Sequence, residues 1–378
     1  MKPRNLIAKT GKMNILNHIS IRNFKSVRHL DLELRPLNLF IGANGAGKSN
    51  LISVFRFLNQ MSEGNLQNHT ASLGGADSIL YFGRKTSDEM TFTLSFEDGM
   101  NEYECGLSPG PEDNFFFNRE RIRFYDEKQS PSPQEELWES GHAESKLSAK
   151  GGTSANHAGR YAVRDLQTWK PCHFHDTGEN AKVRQTCDLE DNLTLRPDAR
   201  NLAAFLYRLE RKFPGHFGNI QEAVRMAAPF FERFSLQPSR LNEEKIRLEW
   251  KEKGSDDYFN AAALSDGTLR FVCLATLLFQ PSLPRLILLD EPELGLHPYA
   301  VSLLADLLRS TARHTQVIAA TQSVTLVNQF EPEDIVVVDR NECGESLFRR
   351  LDRSEMEDWL DEYGMGDLWE KNIFGGRP

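Results

Sequence analysis

The run Leu37-Asn-Leu-Phe-Ile41 is short and mostly apolar, and it breaks off into Gly42-Ala-Asn-Gly-Ala-Gly47-Lys48-Ser49. The residues after it, through Leu58, space their apolar side chains as a helix does: Leu51, Val54, Phe55, Phe57, Leu58. Strand, glycine-rich turn and helix, with G-x-x-x-x-G-K-S across the join, leave a chain few ways to fold. Glycines let successive backbone N–H groups close around phosphate oxygens, and the helix N-terminus adds its partial positive charge. In such a loop Lys48 reaches the β- and γ-phosphates of a nucleotide, and the Ser49 hydroxyl ligates Mg²⁺. The predicted nucleotide-binding set here is Gly42, Asn44, Gly45, Gly47, Lys48, Ser49 and Asn50.

A second set of acids is placed to serve that loop. Leu286-Ile-Leu-Leu289 is an apolar strand that ends in Asp290-Glu291. Ligands of α/β sheets bind beyond the carboxyl ends of the strands, so both carboxylates fall where the nucleotide does. Asp290 is predicted to hold Mg²⁺ through water, and Glu291 to orient and polarise the attacking water. Segments 266–279, 286–289, 298–312, 316–321 and 334–338 alternate helix and strand, the order of a parallel sheet flanked by helices. Helical patterning is also expected at 201–213 and 220–234. Towards the N-terminus, strands are expected at 15–25 and 31–34, then a hairpin from Met90–Phe96 through Glu97-Asp98-Gly99 to Tyr103–Leu107. Residues 62–80 read as a polar loop, and 108–160 lose periodicity and read as irregular.

Leu264-Ser265-Asp266-Gly267-Thr268, at the head of an apolar helix, resembles the LSGGQ-type signature of ATP-binding-cassette ATPases. Ile21-Arg-Asn-Phe24-Lys25-Ser26 and Asp290-Glu-Pro-Glu293-Leu-Gly-Leu-His297-Pro298 resemble the RecF/SMC/OLD-type branch of that class. Gly74-Gly75-Ala-Asp-Ser, His173-Phe-His175-Asp176, LSDGTLR and Ala320-Thr321-Gln322-Ser323 are similar to segments of single-chain predicted ATPases of bacterial antiphage and mobile-element loci. The resemblance implies a two-lobed α/β ATPase with a mixed or parallel sheet core, an N-terminal antiparallel β lobe and a helical insert. It divides the chain into a flexible extension (1–13), lobe I with the P-loop (14–110), an irregular insert (111–194), and lobe II with signature, Walker B and switch motifs (195–378). It also implies that Ser265 and Gly267 of one chain complete the ATP site of another, giving an ATP-dependent homodimer.

One position departs from the pattern. Gln322 stands where the class carries a switch histidine, and an amide donates a hydrogen bond but carries no proton. Slow hydrolysis of ATP to ADP and phosphate is therefore expected, with Glu291 and Gln322 as the catalytic pair. Gln60 and Gln67 are weak candidates for the Q-loop glutamine, and both read better as surface residues. Cys172, His173, His175 and Asp176 suggest a metal, but no second ligand cluster follows at zinc spacing, so a strand or loop reading is preferred. Phe115–Phe117 beside Arg119, Arg121 and Arg123 mixes stacking and phosphate-binding side chains, although a strand with solvated arginines is the commoner meaning. Arg208, Arg211 and Lys212 share a helix face that reads as solvated.

Composition narrows the role. The 378 residues carry 45 basic and 54 acidic side chains, a net charge of -9, so any DNA contact must come from a local patch. Five scattered cysteines fit reduced thiols and a cytoplasmic location. No apolar run reaches the ~18–20 residues of a membrane span, and the basic stretch before Met13 lacks the apolar core of a secretory signal. Met1 and Met13 both remain open as the start. The stretch after Gln322 is expected to be too short for an OLD-type Toprim nuclease, with one strand at 334–339. The expected function is an Mg-ATP-dependent switch in antiphage defence or a DNA-linked process, acting with a separately encoded effector. The alternative is an ATP-stabilised scaffold that sequesters a toxin partner and hydrolyses little.

Overall fold

A computed structural model describes residues 15–96, 101–124, 134–147, 166–169, 171–360 and 362–377. The expected N-terminal extension, the turn at Glu97–Gly99 and the Gly/Ser-rich stretch from 148 lie outside them. Two sheets organise the chain. The first is antiparallel, in the order β2-β1-β4-β5-β6-β7, from β1 (Leu16–Phe24), β2 (Val27–Glu33), β4 (Met90–Phe96), β5 (Asn101–Pro109), β6 (Phe115–Phe124) and β7 (Gln134–Trp138). The second is mixed, in the order β8-β9-β3-β10-β11. It is built from β3 (Leu37–Ile41), β8 (Leu286–Asp290), β9 (Gln316–Thr321), β10 (Ile335–Arg340) and β11 (Ser346–Arg350). The first four of that order run parallel and β11 is antiparallel at the edge.

The four parallel strands are buried on both faces over most of their length, which is why they read as largely apolar runs rather than as alternation. Successive side chains feed opposite cores. Leu39, Leu289, Ala319 and Val337 join a core built with helices Leu202–Lys212, Pro214–Ala227, Asp266–Phe279 and Pro298–Thr311. Phe40, Leu288, Ala320 and Val338 join the other, with helix α1 (Lys48–Ser62) and the antiparallel sheet. Phe57 of α1 packs at ring-centroid distances of 5.7 Å on Phe24 and 5.8 Å on Phe92. Each such ring, fully buried, contributes roughly 1.5–3 kcal/mol. That packing fixes the start of α1 beside the end of β3, and so places the P-loop. Two further three-stranded sheets hold Cys187–Asp188, Pro238–Ser239 and Asn242–Ile246, and Phe231–Ser235, Glu249–Glu252 and Tyr258–Asn260.

The expected α/β architecture, with a mixed sheet and an antiparallel β lobe, is what the chain adopts. Four local readings change. The 108–160 stretch is not irregular throughout: β6 and β7 complete the antiparallel sheet. Its alternation is hidden because Phe116 faces out while Glu120 faces in, fully buried, accepting from Tyr103 Oη at 2.8 Å and Lys146 N at 3.0 Å. The helix expected at 220–234 instead spans Pro214–Ala227, because Pro229 cannot continue it, and Phe231–Ser235 is a strand. Residues 62–80 hold two short helices, Leu66–Ser72 and Ala76–Ile79. A second strand, β11, follows β10.

Candidate functional site

The site lies at the carboxyl ends of β3, β8 and β9. Gly47 precedes α1 with φ of 121°, a conformation open chiefly to glycine. A Cβ there would stand 2.1 Å from Ser346 Oγ. That serine matters locally, because it donates to Ala46 O at 2.6 Å and hydrogen-bonds Ser26 Oγ at 2.7 Å. Asn50 donates to the same Ser26 at 2.7 Å, so its amide braces the loop. Lys48 is buried and its Nζ donates to Gly42 O at 2.6 Å and Ala43 O at 3.0 Å. Burial pulls its ammonium below the ordinary lysine range, against the opposing pull of Glu291, Asp290 and Glu293.

The acids converge on this loop. Ser49 hydrogen-bonds the Asp290 carboxylate, whose pKa is raised by burial and lowered by that bond. Glu291 follows with φ of 42°, held there by its N–H on Ala320 O at 2.8 Å. Gln322 Nε2 donates to Glu291 Oε1. One residue back, Thr321 Oγ1 donates to Glu293 and accepts from Ser323 N at 2.9 Å. Glu293 is raised by burial, and its Oε2 is buried without a hydrogen-bond partner. Asn44, Glu291, Glu293, Gly295 and Gln322 line one open cleft. A Mg²⁺ ion takes hard oxygen ligands with several waters, and the meeting of Ser49 with Asp290 beside the Glu291 and Glu293 carboxylates suits it.

The signature residues line a pocket that includes none of the residues 42–49. Ser265 caps helix Asp266–Phe279, its Oγ accepting from Thr268 N at 3.2 Å. Ser265 and Asp266 are exposed. Gly267 packs against the loop after Glu291 so closely that a Cβ would lie 2.1 Å from Gly295 O. Ser265, Gly267, Gly295 and His297 line a small pocket, distinct from the Glu291 cleft and meeting it at Gly295.

Sequence reasoning missed Arg270. It is buried in the signature helix, donating through Nε to Phe174 O at 2.9 Å, through Nη2 to His175 O at 3.0 Å, and through Nη1 to Leu294 O. One guanidinium thus joins the signature helix, the His173–Asp176 segment and the loop after Glu291. A lone arginine within the apolar run LRFVCLATLLF was the signal. The other candidates have local partners. Gln60 donates to Asn59 and Glu63 at 3.3 Å, and Gln67 donates to Phe115 O at 2.9 Å. Arg119 pairs with Glu104 at 2.7 Å, Arg121 with Glu104 and Glu135, and Arg123 with Glu102 at 3.3 Å. That row is already neutralised and offers little to a phosphate backbone. Arg211 lies over the Tyr207 ring at 4.1 Å. Among the described residues, no group of three or more His, Cys, Asp and Glu side chains could hold a metal.

With the geometry in place, the kinship is readable. The family model described as "AAA domain, putative AbiEii toxin, Type IV TA system" matches residues 182–328, and the model "AAA ATPase domain" matches 13–139. The chain carries AAA-type ATPase domain sequence on both sides of its middle stretch. Among solved structures, it is similar to an Smc head bound to the C-winged helix domain of ScpA, at TM-score 0.57 and 17% identity, over 90% of this chain and 98% of that one. An Smc head domain with an extended coiled coil from Pyrococcus furiosus, bound to the C-terminal domain of ScpA, matches at TM-score 0.53 and 16% identity, over 93% and 99%. The fold is that of SMC head ATPase domains. The DNA replication and repair protein RecF of Lactobacillus acidophilus is 41% identical over 44 residues, 11% of this chain and 12% of RecF. The chain thus spans about an eighth of the length of that curated relative. No helix among the described residues is long and apolar enough to cross a membrane.

Proposed function

We propose that this chain is an Mg-ATP-dependent ATPase switch that closes as a homodimer around two nucleotides. The observation that carries the reading is the convergence at the loop: Ser49 on Asp290, and Gln322 on Glu291. Gly42, Asn44, Gly45, Gly47 and Lys48 would take the phosphates, and Ser49 with Asp290 would hold the metal. When bound, Mg²⁺ neutralises charge on the β- and γ-phosphates. Glu291 orients the attacking water and accepts its proton, while Gln322 fixes the carboxylate without being able to take that proton itself. That division of labour supports slow turnover. Ser265 and Gly267 are exposed or half-exposed at a helix N-terminus, which suits them to a γ-phosphate held by another subunit. Asn50, spent on Ser26, acts as a brace.

The toxin–antitoxin wording of the family model over 182–328 supports action beside a separately encoded effector, in defence or a DNA-linked process. We place the protein in the cytoplasm. The test is Lys48→Ala: ATP binding and turnover should vanish while the nucleotide-free melting temperature stays near wild type. Unchanged affinity and turnover would overturn the assignment.

A further inference from the structure

The motif His173-Phe-His175-Asp176 has no part in the mechanism above, yet the fold carries it to the metal end of the site. Strand β8 is the last strand on its side of the mixed sheet. On its open edge, Cys172 bridges in parallel to Leu289, and Cys172 N donates to Leu288 O at 3.0 Å. The segment therefore runs the same way as β8, towards the carboxyl end where Asp290 and Glu291 sit. Gln322 approaches from the opposite side of β8, at the end of β9.

Two rulers locate His175. Alternate residues of an extended segment share a face, and the His173 and His175 rings are 6.5 Å apart. The His173 ring meets the Arg56 guanidinium on α1. The helix begins at the P-loop and runs back from it, so Ser49 lies about 10 Å above Arg56 at ~1.5 Å per residue. His175 lies about 6.6 Å further along than His173 at ~3.3 Å per residue. His175 therefore lies nearer than His173 to the level of Ser49. His175 also acts electrostatically on Asp290. Its backbone is fixed, because His175 O accepts from Arg270 Nη2 and from Thr177 N, both at 3.0 Å.

We propose that His175 contacts the γ-phosphate of the bound nucleotide, approaching across the edge of β8 opposite Gln322. The proposal rests on the nucleotide reading above and deepens it. An imidazole N–H given to a phosphate oxygen is a hydrogen bond to a charged group, and it is made to ATP and not to ADP. His173, engaged by Arg56, makes no such contact.

The experiment is equilibrium binding of Mg-ATP and Mg-ADP to the full chain by calorimetry, with nucleotide-free melting as the check on folding. His175→Ala should weaken ATP about 10-fold or more and leave ADP within about 2-fold, while His173→Ala alters neither. If His175→Ala does not fold, His175→Leu, which keeps bulk without a donor, carries the same expectation. Unchanged ATP affinity, an equal fall for ATP and ADP, or the same selective loss in His173→Ala would each overturn the proposal. A wild-type chain that binds neither nucleotide would instead break the nucleotide-site reading itself, so the two failures are distinguishable.

Discussion

Two groups of arginines divide the molecule. On β6, Arg119, Arg121 and Arg123 lie on the surface of the antiparallel sheet and pair with glutamates on β5 and β7. Around the signature helix, Arg184 and Arg270 are buried and spend their donors mainly on carbonyls. Arg184 takes Thr177 O at 2.6 Å, Leu264 O at 3.0 Å and the exposed Asp266 carboxylate at 2.7 Å. Exposed pairs gain little, since water screens them and two long side chains must be ordered. A buried guanidinium on carbonyls differs: remove it and each acceptor is left unpaired where water does not reach. The difference teaches that the β6 arginines are surface finish, while the arginines near the signature are structural and couple elements of the candidate site.

The contrast can be broken, starting with the largest expected effect. Arg270→Met should cost on the order of 3 kcal/mol in denaturant unfolding and reduce turnover more than ~10-fold, because three carbonyls lose their donor. A loss below about 1 kcal/mol would put Arg270 with the surface group. Gly267→Ala comes next. Its methyl meets Gly295 O, so about 1–3 kcal/mol of destabilisation is expected, with the signature displaced from the loop after Glu291. The smallest effect is Arg123→Ala, under about 1 kcal/mol and smaller still in high salt. A larger, salt-independent loss there would erase the distinction.

The same contrast explains how much the sequence disclosed. The P-loop, the acids after β8, the head of the signature helix and the parallel strands were legible because each is local: a strand, a turn and a helix cap announce themselves within about ten residues. What was illegible depends on distant partners. Glu120 hides β6 because a buried carboxylate is tolerated only where Tyr103, His142 and Ser145 come to meet it. The Arg270 clasp needs Phe174, His175 and Leu294, which only the fold gathers. His175 reads from the sequence as part of a strand or loop, and only the fold sets that segment, through Cys172 and Leu289, on the edge of β8.

The central claim is a nucleotide site completed across two chains, and solution mass tests it directly. Glu291→Gln keeps size and removes the charge, so hydrolysis should fall ~10²-fold or more while ATP stays bound. Light scattering of Glu291→Gln should then show the mass doubling with Mg-ATP and staying monomeric with Mg-ADP. Adding Ser265→Arg to the same chain should abolish the doubling and leave ATP binding intact. A Glu291→Gln chain that binds ATP to saturation and stays monomeric, or one that still dimerises with Ser265→Arg, would contradict the account.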